Sequence, residues 1–405
     1  MGEWKEYKLG DITTEIGDGI HGTPNYSEDG EFYFINGNNI SNGKVIIKGD
    51  TKRVNRIEFE KYKKLLSNRT ILLSINGTIG NVGFYNNEKC ILGKSACYFN
   101  IKDNVDKNFV YYTFLTDDFQ SHLLNIATGT TIQNVPLKGL RESIILLPPL
   151  DEQKRIASIL SSLDDKIDLL HRENATLEAM AETLFRQWFI EEAKEDWKEG
   201  KLGDEFGFIM GQSPSGESFN EDSVGIPMYQ GNADFGFRFP TRRVFTTQPT
   251  RFAEKNDTLI SVRAPVGTQN MATERCCIGR GVAAFRYKGN PLYYSYTYYK
   301  LKSLLDDIKQ YNDNGTVFGS ISKSDFENID IVIPNKERII NFQQRVKIID
   351  DKIINNNNEI QTRPLPTPQY QCLLRGTLSN SLRSPAQVEG TQGKRVPEKH
   401  LFLLY

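Results

Sequence analysis

Basic side chains are concentrated at corresponding places in the two halves of this 405-residue chain. Lysine and arginine outnumber acidic residues between positions 44 and 69, and arginine outnumbers them between positions 238 and 286. Such residues neutralise phosphates, and arginine can also hydrogen-bond base edges in the major groove. A solvated charged face would explain either patch alone. The recurrence in both halves favours binding to duplex DNA.

Amide-rich and hydroxyl-rich loops recur in the same way. The segments 36–39 (NGNN) and 230–232 (QGN) each follow an aromatic strand, and asparagine or glutamine could read adenine there. The segments 129–134 and 315–320 could let a backbone approach phosphate. Both kinds of segment are also ordinary turn formers. The candidate DNA-binding residues are Asn36, Asn38, Asn39, Lys52, Arg53, Arg56, Asn76, Lys94, Thr130, Gln133, Gln230, Asn232, Arg242, Arg243, Arg263, Arg280 and Thr316.

The motifs of catalysis are missing from the sequence. Segment 17–22 (GDGIHG) formally fits G-x-G-x-x-G, but no convincing strand precedes it and no helix follows, so a glycine-rich surface loop is the better interpretation. The sequence has no methyltransferase catalytic loop, nuclease carboxylate cluster, P-loop or helicase signature. We therefore predict that this chain alone is not an enzyme and uses no cofactor.

Composition restricts the class of protein further. The formal net charge is −1, so any face that binds nucleic acid must be a local patch. The five cysteines include no C-x-x-C pair, and with four histidines they give no zinc-ligand spacing. No stretch approaches the roughly 20 apolar residues of a membrane helix. We expect a cytoplasmic protein with reduced thiols and no metal.

The chain repeats itself at a nearly constant offset. Segment 4–11 (WKEYKLGD) returns as 197–204 (WKEGKLGD), and weaker matches follow in the same order. These pair 74–80 with 261–267, 93–95 with 279–281, 129–134 with 315–320, and 144–148 with 330–334. Two similar globular segments of mixed α and β structure are predicted. In the first, strands are expected at 32–35, 45–47, 70–73, 91–99 and 144–147, and a helix at 109–126 with its counterpart at 293–308.

A long heptad helix is predicted between the repeats, from about 151 to 190, and a second one after 334. Apolar residues alternate at spacings of four and three, which is typical of a coiled-coil seam. The seam residues are Ile156, Leu160, Leu163, Ile167, Leu170, Asn174, Leu177, Leu184 and Trp188 in the first helix, and Phe342, Val346, Ile349, Ile353 and Ile360 in the second. Antiparallel packing would place the globular segments at opposite ends of a rod on the order of 60 Å long.

This layout resembles the specificity subunit of a type I restriction-modification enzyme. The resemblance is carried by segments 4–11, 129–135, 146–156 running into 163–167, and 184–189, and it covers about residues 1–361. It implies an α+β fold in which two target-recognition domains, 1–148 and 196–334, are separated by a long antiparallel pair of conserved helices, 149–195 and 335–361. It also implies that each domain reads one half of a split double-stranded DNA sequence. Methyltransferase subunits that modify adenine, and restriction subunits, would be the protein partners.

The chain departs from the family pattern at its end. Prolines at 364, 366 and 368 cannot continue a helix, so the second conserved helix is expected to be shorter than the first. The tail 362–405 has no heptad order and is expected to be disordered or aberrant.

Two other interpretations of the chain compete with a non-catalytic DNA adaptor. A coiled-coil adaptor that binds proteins at its ends would lack the steep salt dependence of DNA affinity. A DNA-modifying enzyme would bind adenosylmethionine by itself.

Overall fold

The computed structural model describes residues 3–194, 197–263, 265–310 and 320–362. Within these ranges the chain divides into two compact units. Unit 1 contains the residues up to Lys166, and unit 2 is Ile167–Thr362.

Unit 1 is a mixed α and β unit. Its strands are β1 (Lys5–Lys8), β2 (Thr13–Asp18), β3 (Phe32–Ile35), β4 (Ile40–Ser41), β5 (Lys44–Val45), β6 (Arg53–Val54), β7 (Thr70–Ser74), β8 (Val82–Phe84), β9 (Cys90–Leu92), β10 (Ala96–Ile101) and β11 (Ile144–Leu147). Its helices are α1 (Leu9–Ile12), α2 (Arg56–Tyr62), α3 (Lys107–Phe114), α4 (Asp117–Ile126) and α5 (Leu137–Glu142), and a 3-10 turn covers Gly37–Asn39. Helix α6 (Leu150–Arg186) begins in unit 1 and continues into unit 2.

The core of unit 1 lies around an antiparallel sheet with the strand order β2-β10-β7-β8. Every residue of β7 is buried, as its continuous apolar run predicts. A second sheet has the order β6-β3-β9, in which β3 and β9 are parallel. Strands β1 and β11 pair antiparallel, so the chain enters and leaves unit 1 side by side.

The predicted elements of unit 1 are largely present, with three differences. The strand expected at 91–99 is two strands, because the turn 93–95 carries the chain from the sheet of β9 to that of β10. The helix expected at 109–126 is two helices, because the Thr116 hydroxyl caps α4 by accepting from the Phe119 amide at 3.3 Å. Of the strand expected at 45–47, only Val45 is in a strand.

Unit 2 repeats this plan. Its strands are β12 (Lys198–Lys201), β13 (Phe206–Met210), β14 (Phe219–Asn220), β15 (Ile226–Tyr229), β16 (Val244–Thr246), β17 (Phe252–Ala253), β18 (Thr258–Ser261), β19 (Gln269–Met271), β20 (Cys276–Ile278), β21 (Val282–Tyr287) and β22 (Asp330–Ile333). Its helices are α7 (Leu202–Glu205), α8 (Tyr294–Ser303), α9 (Leu305–Gln310), α10 (Lys323–Glu327) and α11 (Lys336–Gln361), and a π-helical turn, Gln187–Glu191, follows α6. The sheet β13-β21-β18-β19 corresponds to β2-β10-β7-β8, and the parallel pair β15 and β20 corresponds to β3 and β9.

Helix α11 packs antiparallel to the part of α6 that lies in unit 2. The Phe342 ring, near the start of α11, lies 5.6 Å from Phe185 and 5.2 Å from Phe189, near the end of α6. Farther along, Asn356 Nδ2 donates to Asn174 Oδ1 at 2.9 Å, and both side chains are buried. The predicted antiparallel helix pair is therefore present within unit 2, with a hydrogen-bonded asparagine pair in its interface.

The buried face of α6 in unit 2 differs from the predicted seam. Leu177, Leu184 and Trp188 are only partly buried, whereas Phe185 and Phe189 are buried. The reason is that α8 also packs on this helix. The α6 helix therefore buries a broad face between two neighbours rather than a narrow heptad seam. The other predicted seam positions are buried at Ile156, Leu160, Leu170, Asn174, Phe342, Val346 and Ile353, and partly buried at Leu163, Ile167, Ile349 and Ile360.

A tyrosine–aspartate hydrogen bond that recurs in both units joins α6 to unit 1 and α11 to the rest of unit 2. In unit 1 the Tyr112 hydroxyl donates to Asp164 Oδ2 on α6 at 2.7 Å. In unit 2 the Tyr299 hydroxyl donates to Asp350 Oδ1 on α11 at 3.4 Å. The two aspartates occupy the same place in the repeated sequences 163–167 (LDDKI) and 349–353 (IDDKI).

Two further expectations concern the tail and the membrane. The tail after Thr362, with its expected disorder, lies outside the described residues. Among the helices that the structure describes, none combines the length and apolar character needed to span a membrane.

Candidate nucleic-acid interface

In unit 1, the predicted residues Asn36 and Lys94 meet where the parallel strands β3 and β9 end. The Gly93 amide donates to the Ile35 carbonyl at 2.8 Å, which holds the two strand ends together. The Ser95 hydroxyl then donates to Asn36 Oδ1 at 3.0 Å. The exposed Lys94 therefore lies in a turn that is hydrogen-bonded to the amide loop 36–39.

Two more loops join the same edge. The Ile75 amide donates to the Ser95 carbonyl at 3.0 Å, so the loop after β7 reaches the turn 93–95. Asn76 Nδ2 donates to Asn134 Oδ1 at 3.3 Å, which brings in the loop that carries the exposed Gln133. Of the predicted residues, Asn36, Asn38, Asn76, Lys94 and Gln133 are thus brought together on one surface.

Unit 2 builds the corresponding edge with the same backbone hydrogen bonds. The Gly279 amide donates to the Tyr229 carbonyl at 2.8 Å, where β15 and β20 end. The Val262 amide donates to the Gly281 carbonyl at 2.9 Å. Arg280, between the two glycines, is exposed in the position that Lys94 has in unit 1.

The correspondence extends to the remaining loops. The Val135 amide donates to the Ile75 carbonyl at 2.9 Å, and the Ile321 amide donates to the Val262 carbonyl at 3.2 Å. Isolated antiparallel bridges pair Asn76 with Asn134 in unit 1 and Arg263 with Ser320 in unit 2. We call these surfaces rim 1 and rim 2. Rim 1 comprises residues 36–38, 76–77, 93–95 and 133–134, together with 20–23, where the Ile20 amide donates to the Leu92 carbonyl at 2.8 Å. Rim 2 comprises 230–232, 263, 279–281 and 320, together with 212–213, where the Gln212 amide donates to the Ile278 carbonyl at 3.0 Å.

The two rims share a backbone frame but differ in their side chains. At corresponding places they carry Asn36 and Gln230, Asn38 and Asn232, Lys94 and Arg280, and Asn76 and Arg263. Each set combines hydrogen-bonding amides with a basic residue, which is the chemistry that reads base edges and contacts phosphates. A common frame with different side chains can recognise two different sequences in the same manner.

The structure corrects the role predicted for Asn39. Its side chain is buried and accepts from the Asn36 amide at 3.1 Å while donating to the Thr51 hydroxyl at 3.2 Å. Asn39 therefore shapes the loop and is not available to DNA. Asp234, which was not among the predicted residues, does the same in unit 2 by accepting from the Gln230 backbone amide at 2.7 Å. The sequence signal for both residues is a polar side chain three or four positions after the amide residue that begins the loop, Asn36 or Gln230.

The basic patch of unit 2 is smaller than its composition predicts. Arg238 is fully buried, and Arg286 pairs with Asp257 at 2.7 Å. Two of the candidate residues are exposed but paired: Arg242 Nη2 lies 2.6 Å from Glu274, and Arg243 Nη2 lies 2.8 Å from Asp234. The hydrogen bond to Asp234 raises the pKa of Arg243, which therefore stays charged. Within the described ranges, the side chains of Arg251, Arg263 and Arg280 have no partner.

The remaining candidates are not among the residues that form the two rims. Lys52, Arg53 and Arg56 are exposed where β6 and α2 begin, and the Arg53 guanidinium lies 5.1 Å from the centre of the Tyr33 ring. Thr130 is exposed in the loop 128–134, which is closed by two hydrogen bonds of 2.8 Å between the backbones of Thr128 and Asn134. Thr316 lies outside the described residues.

Comparison with known proteins decides the family. The family model described as "Type I restriction modification DNA specificity domain" matches residues 1–179 and again residues 194–364. This chain belongs to that family. The putative type I restriction enzyme MjaX specificity subunit of Methanocaldococcus jannaschii is 32% identical over 379 residues, covering 87% of this chain and 88% of the relative. The MjaIX specificity subunit of the same organism is 24% identical, with 88% and 89% covered.

A solved structure agrees on the fold. The type I restriction-modification S subunit from M. genitalium has a TM-score of 0.58 and 21% identity, covering 92% of this chain and 96% of that one. Membership of the type I specificity family confirms the resemblance noted in the sequence. It also confirms the prediction that this chain is a DNA-recognition subunit rather than an enzyme.

Proposed function

We propose that this specificity subunit recognises a split DNA target, with rim 1 reading one half-site and rim 2 the other. One observation carries the proposal: the rims are built by corresponding backbone hydrogen bonds yet present Asn36, Lys94 and Asn76 on one side and Gln230, Arg280 and Arg263 on the other. A subunit that bound DNA by charge alone would need no such matched frames.

The chemistry of the rim side chains supports base reading. An arginine such as Arg280 can donate to guanine O6 and N7 together, and the amide of the exposed Gln230 can pair with adenine N6 and N7. The exposed Lys52, Arg53 and Arg56 are suited to phosphate contacts, which position a protein on the duplex without reading sequence.

In this proposal the segments 1–148 and 196–334 are the target-recognition domains, and the conserved helices at 149–195 and 335–361 set the distance between the half-sites. The complete assembly would bind adenine-N6 methyltransferase subunits and restriction subunits. It would work in the cytoplasm, where chromosomal and incoming DNA are accessible.

Salt dependence of DNA affinity tests the rims as binding surfaces. Replacing Lys94 or Arg280 with alanine should weaken binding of the target sequence more than binding of unrelated DNA, whereas replacing Arg53 or Arg56 should weaken both alike and lower the slope of log affinity against log salt by about 1. The chain offers matched controls, because Lys89 and Arg275 are exposed at the opposite ends of β9 and β20. Alanine at these two positions should leave affinity and slope unchanged. Equal effects of the rim and control variants would refute the proposal.

A further inference from the structure

The glycine-rich loop that follows β2 belongs to rim 1. The sequence shows no convincing strand before segment 17–22, but in the structure β2 ends at Asp18 and runs directly into this segment. The Ile20 amide donates to the Leu92 carbonyl at 2.8 Å, and Ile20 forms a parallel bridge with Gly93. The loop is therefore attached to the turn that presents Lys94.

Close packing explains the glycines of this loop. A Cβ at Gly17 would lie 2.7 Å from the Tyr98 hydroxyl oxygen, and a Cβ at Gly19 would lie 1.9 Å from the Leu92 carbonyl oxygen. The glycines thus let β2 and its loop lie against the neighbouring strands. No helix follows the loop, so the dinucleotide-binding interpretation has no support in its geometry.

Unit 2 has a shorter form of the same loop. The Gln212 amide donates to the Ile278 carbonyl at 3.0 Å, as the Ile20 amide does to the Leu92 carbonyl. In unit 1 the residues His21, Gly22 and Thr23 then precede the buried Pro24, whereas in unit 2 only Ser213 precedes the buried Pro214. The two rims therefore differ here in length as well as in side chains.

His21 and Thr23 are the side chains that this longer loop exposes to solvent, and His21 is the one held by a partner. Its ring is 74% exposed, and Nε2 lies 2.8 Å from Oδ2 of Asp18, whose own side chain is only 17% exposed. Because a carboxylate accepts hydrogen bonds, Asp18 favours the tautomer that carries the proton on Nε2, in which Nδ1 is an acceptor. The ring is thus oriented by a fixed partner, with an acceptor directed away from it.

We propose that His21 is a specificity-determining residue of rim 1, accepting through Nδ1 a hydrogen bond from the exocyclic amino group of adenine or cytosine in the first half-site. In the major groove, adenine N6 and cytosine N4 are the donors, whereas guanine and thymine present acceptors at the equivalent places. His21 therefore distinguishes adenine and cytosine from guanine and thymine at one position. This inference rests on the proposed function, because it requires rim 1 to face DNA.

Methylation mapping tests the role of His21. The full chain, wild type or His21→Ala, is combined with its cognate methyltransferase, and methylated adenines are mapped in DNA of random sequence. The variant should show a roughly tenfold weaker preference at one position of the first half-site, the discrimination that a single base contact provides. The second half-site and the salt slope should not change. Because the side chain is exposed, the variant should fold normally.

Further variants separate the possible failures. Asp18→Ala should relax the same position partially, because the ring loses the hydrogen-bond partner that orients it, and Lys89→Ala should change nothing. An unchanged methylated sequence in His21→Ala would overturn the inference. So would a uniform loss of affinity with a salt slope lower by about 1, which would indicate a phosphate contact. If Lys94→Ala also had no effect on sequence or slope, the proposed function itself would fail.

Discussion

Replacing Arg238 with methionine should destabilise unit 2 by ~3–5 kcal/mol, because it leaves a buried carboxylate without its cation. Arg238 Nη2 donates to Asp350 Oδ1 at 2.8 Å, and Nη1 donates to the Tyr299 hydroxyl at 3.1 Å. Its guanidinium also lies 3.4 Å from the centre of the Tyr298 ring. The side chains of Arg238 and Asp350 are each 1% exposed, so water cannot replace these hydrogen bonds. Methionine fills similar space, which limits the cost of a cavity.

Denaturation by urea, followed by tryptophan fluorescence, measures this destabilisation. Trp4 belongs to unit 1 and Trp188 and Trp197 to unit 2, so a Trp4→Phe background makes the signal report unit 2. Arg275→Met is the control, because Arg275 pairs with Glu254 on the surface at 3.3 Å and its side chain is 59% exposed. That variant should be destabilised by less than ~1 kcal/mol.

The pH dependence of the destabilisation tests whether the unpaired Asp350 carboxylate causes it. Burial raises the pKa of the Asp350 carboxyl although Arg238 lies beside it, and removal of the cation should raise it further. When the pKa of a carboxyl is higher in the folded than in the unfolded state, the free energy of unfolding falls as pH rises. The loss of unfolding free energy in Arg238→Met, relative to the wild type, should therefore grow with pH. Adding Asp350→Asn should recover much of the deficit. If Arg238→Met cost no more than Arg275→Met, the buried ion pair would not stabilise unit 2 as argued.

Three further predictions concern stability and register. Burial raises the pKa of Glu205 to about 7 from its ordinary 4.5, so the free energy of unfolding should fall by about 3 kcal/mol as pH rises through that interval. Glu205→Gln should remove this pH dependence, and in urea titrations at pH 8 it should be more stable than the wild type. Gly19→Ala should cost at least ~2 kcal/mol because its Cβ would meet backbone at 1.9 Å, whereas Gly22→Ala, with open space around it, should be neutral in thermal melts; equal melting temperatures would contradict the packing argument. Replacing both Asn174 and Asn356 with leucine should raise the urea midpoint but let methylation occur at additional spacer lengths. The reason is that a buried polar pair fixes the register of two helices at a cost in stability. A lower midpoint in the double variant would contradict this role.

The sequence predicts the repeated architecture well because the two units share the same pattern of apolar residues and the same glycine, asparagine and proline residues at the ends of strands. Strands β3 and β11 begin and end at the predicted residues, and both helices of the conserved pair are found where the heptads indicate. The candidate residues Asn36 and Lys94 were chosen because their counterparts in the second half have similar chemistry, and their contact with DNA stays a prediction.

Side-chain partners that are distant in the chain could not be predicted in the same way. Arg238 was counted in a basic patch, but its partner Asp350 is 112 residues away and both are buried. Asn39 resembles its neighbour Asn38, and only the fold decides that one caps a loop while the other is exposed. The heptad pattern predicted Leu184 and Trp188 in the seam because it reports contact with one partner helix only. In the structure a second neighbour, α8, widens the buried face of α6.

The most direct test of two separate reading surfaces is a methylation map made with the cognate methyltransferase and three forms of this chain: wild type, Lys94→Ala and Arg280→Ala. Wild type should methylate adenine in a split sequence with a fixed spacer. Lys94→Ala should relax one half-site only, and Arg280→Ala the other half-site only. A contiguous target, or the same change in both half-sites from either substitution, would contradict the account.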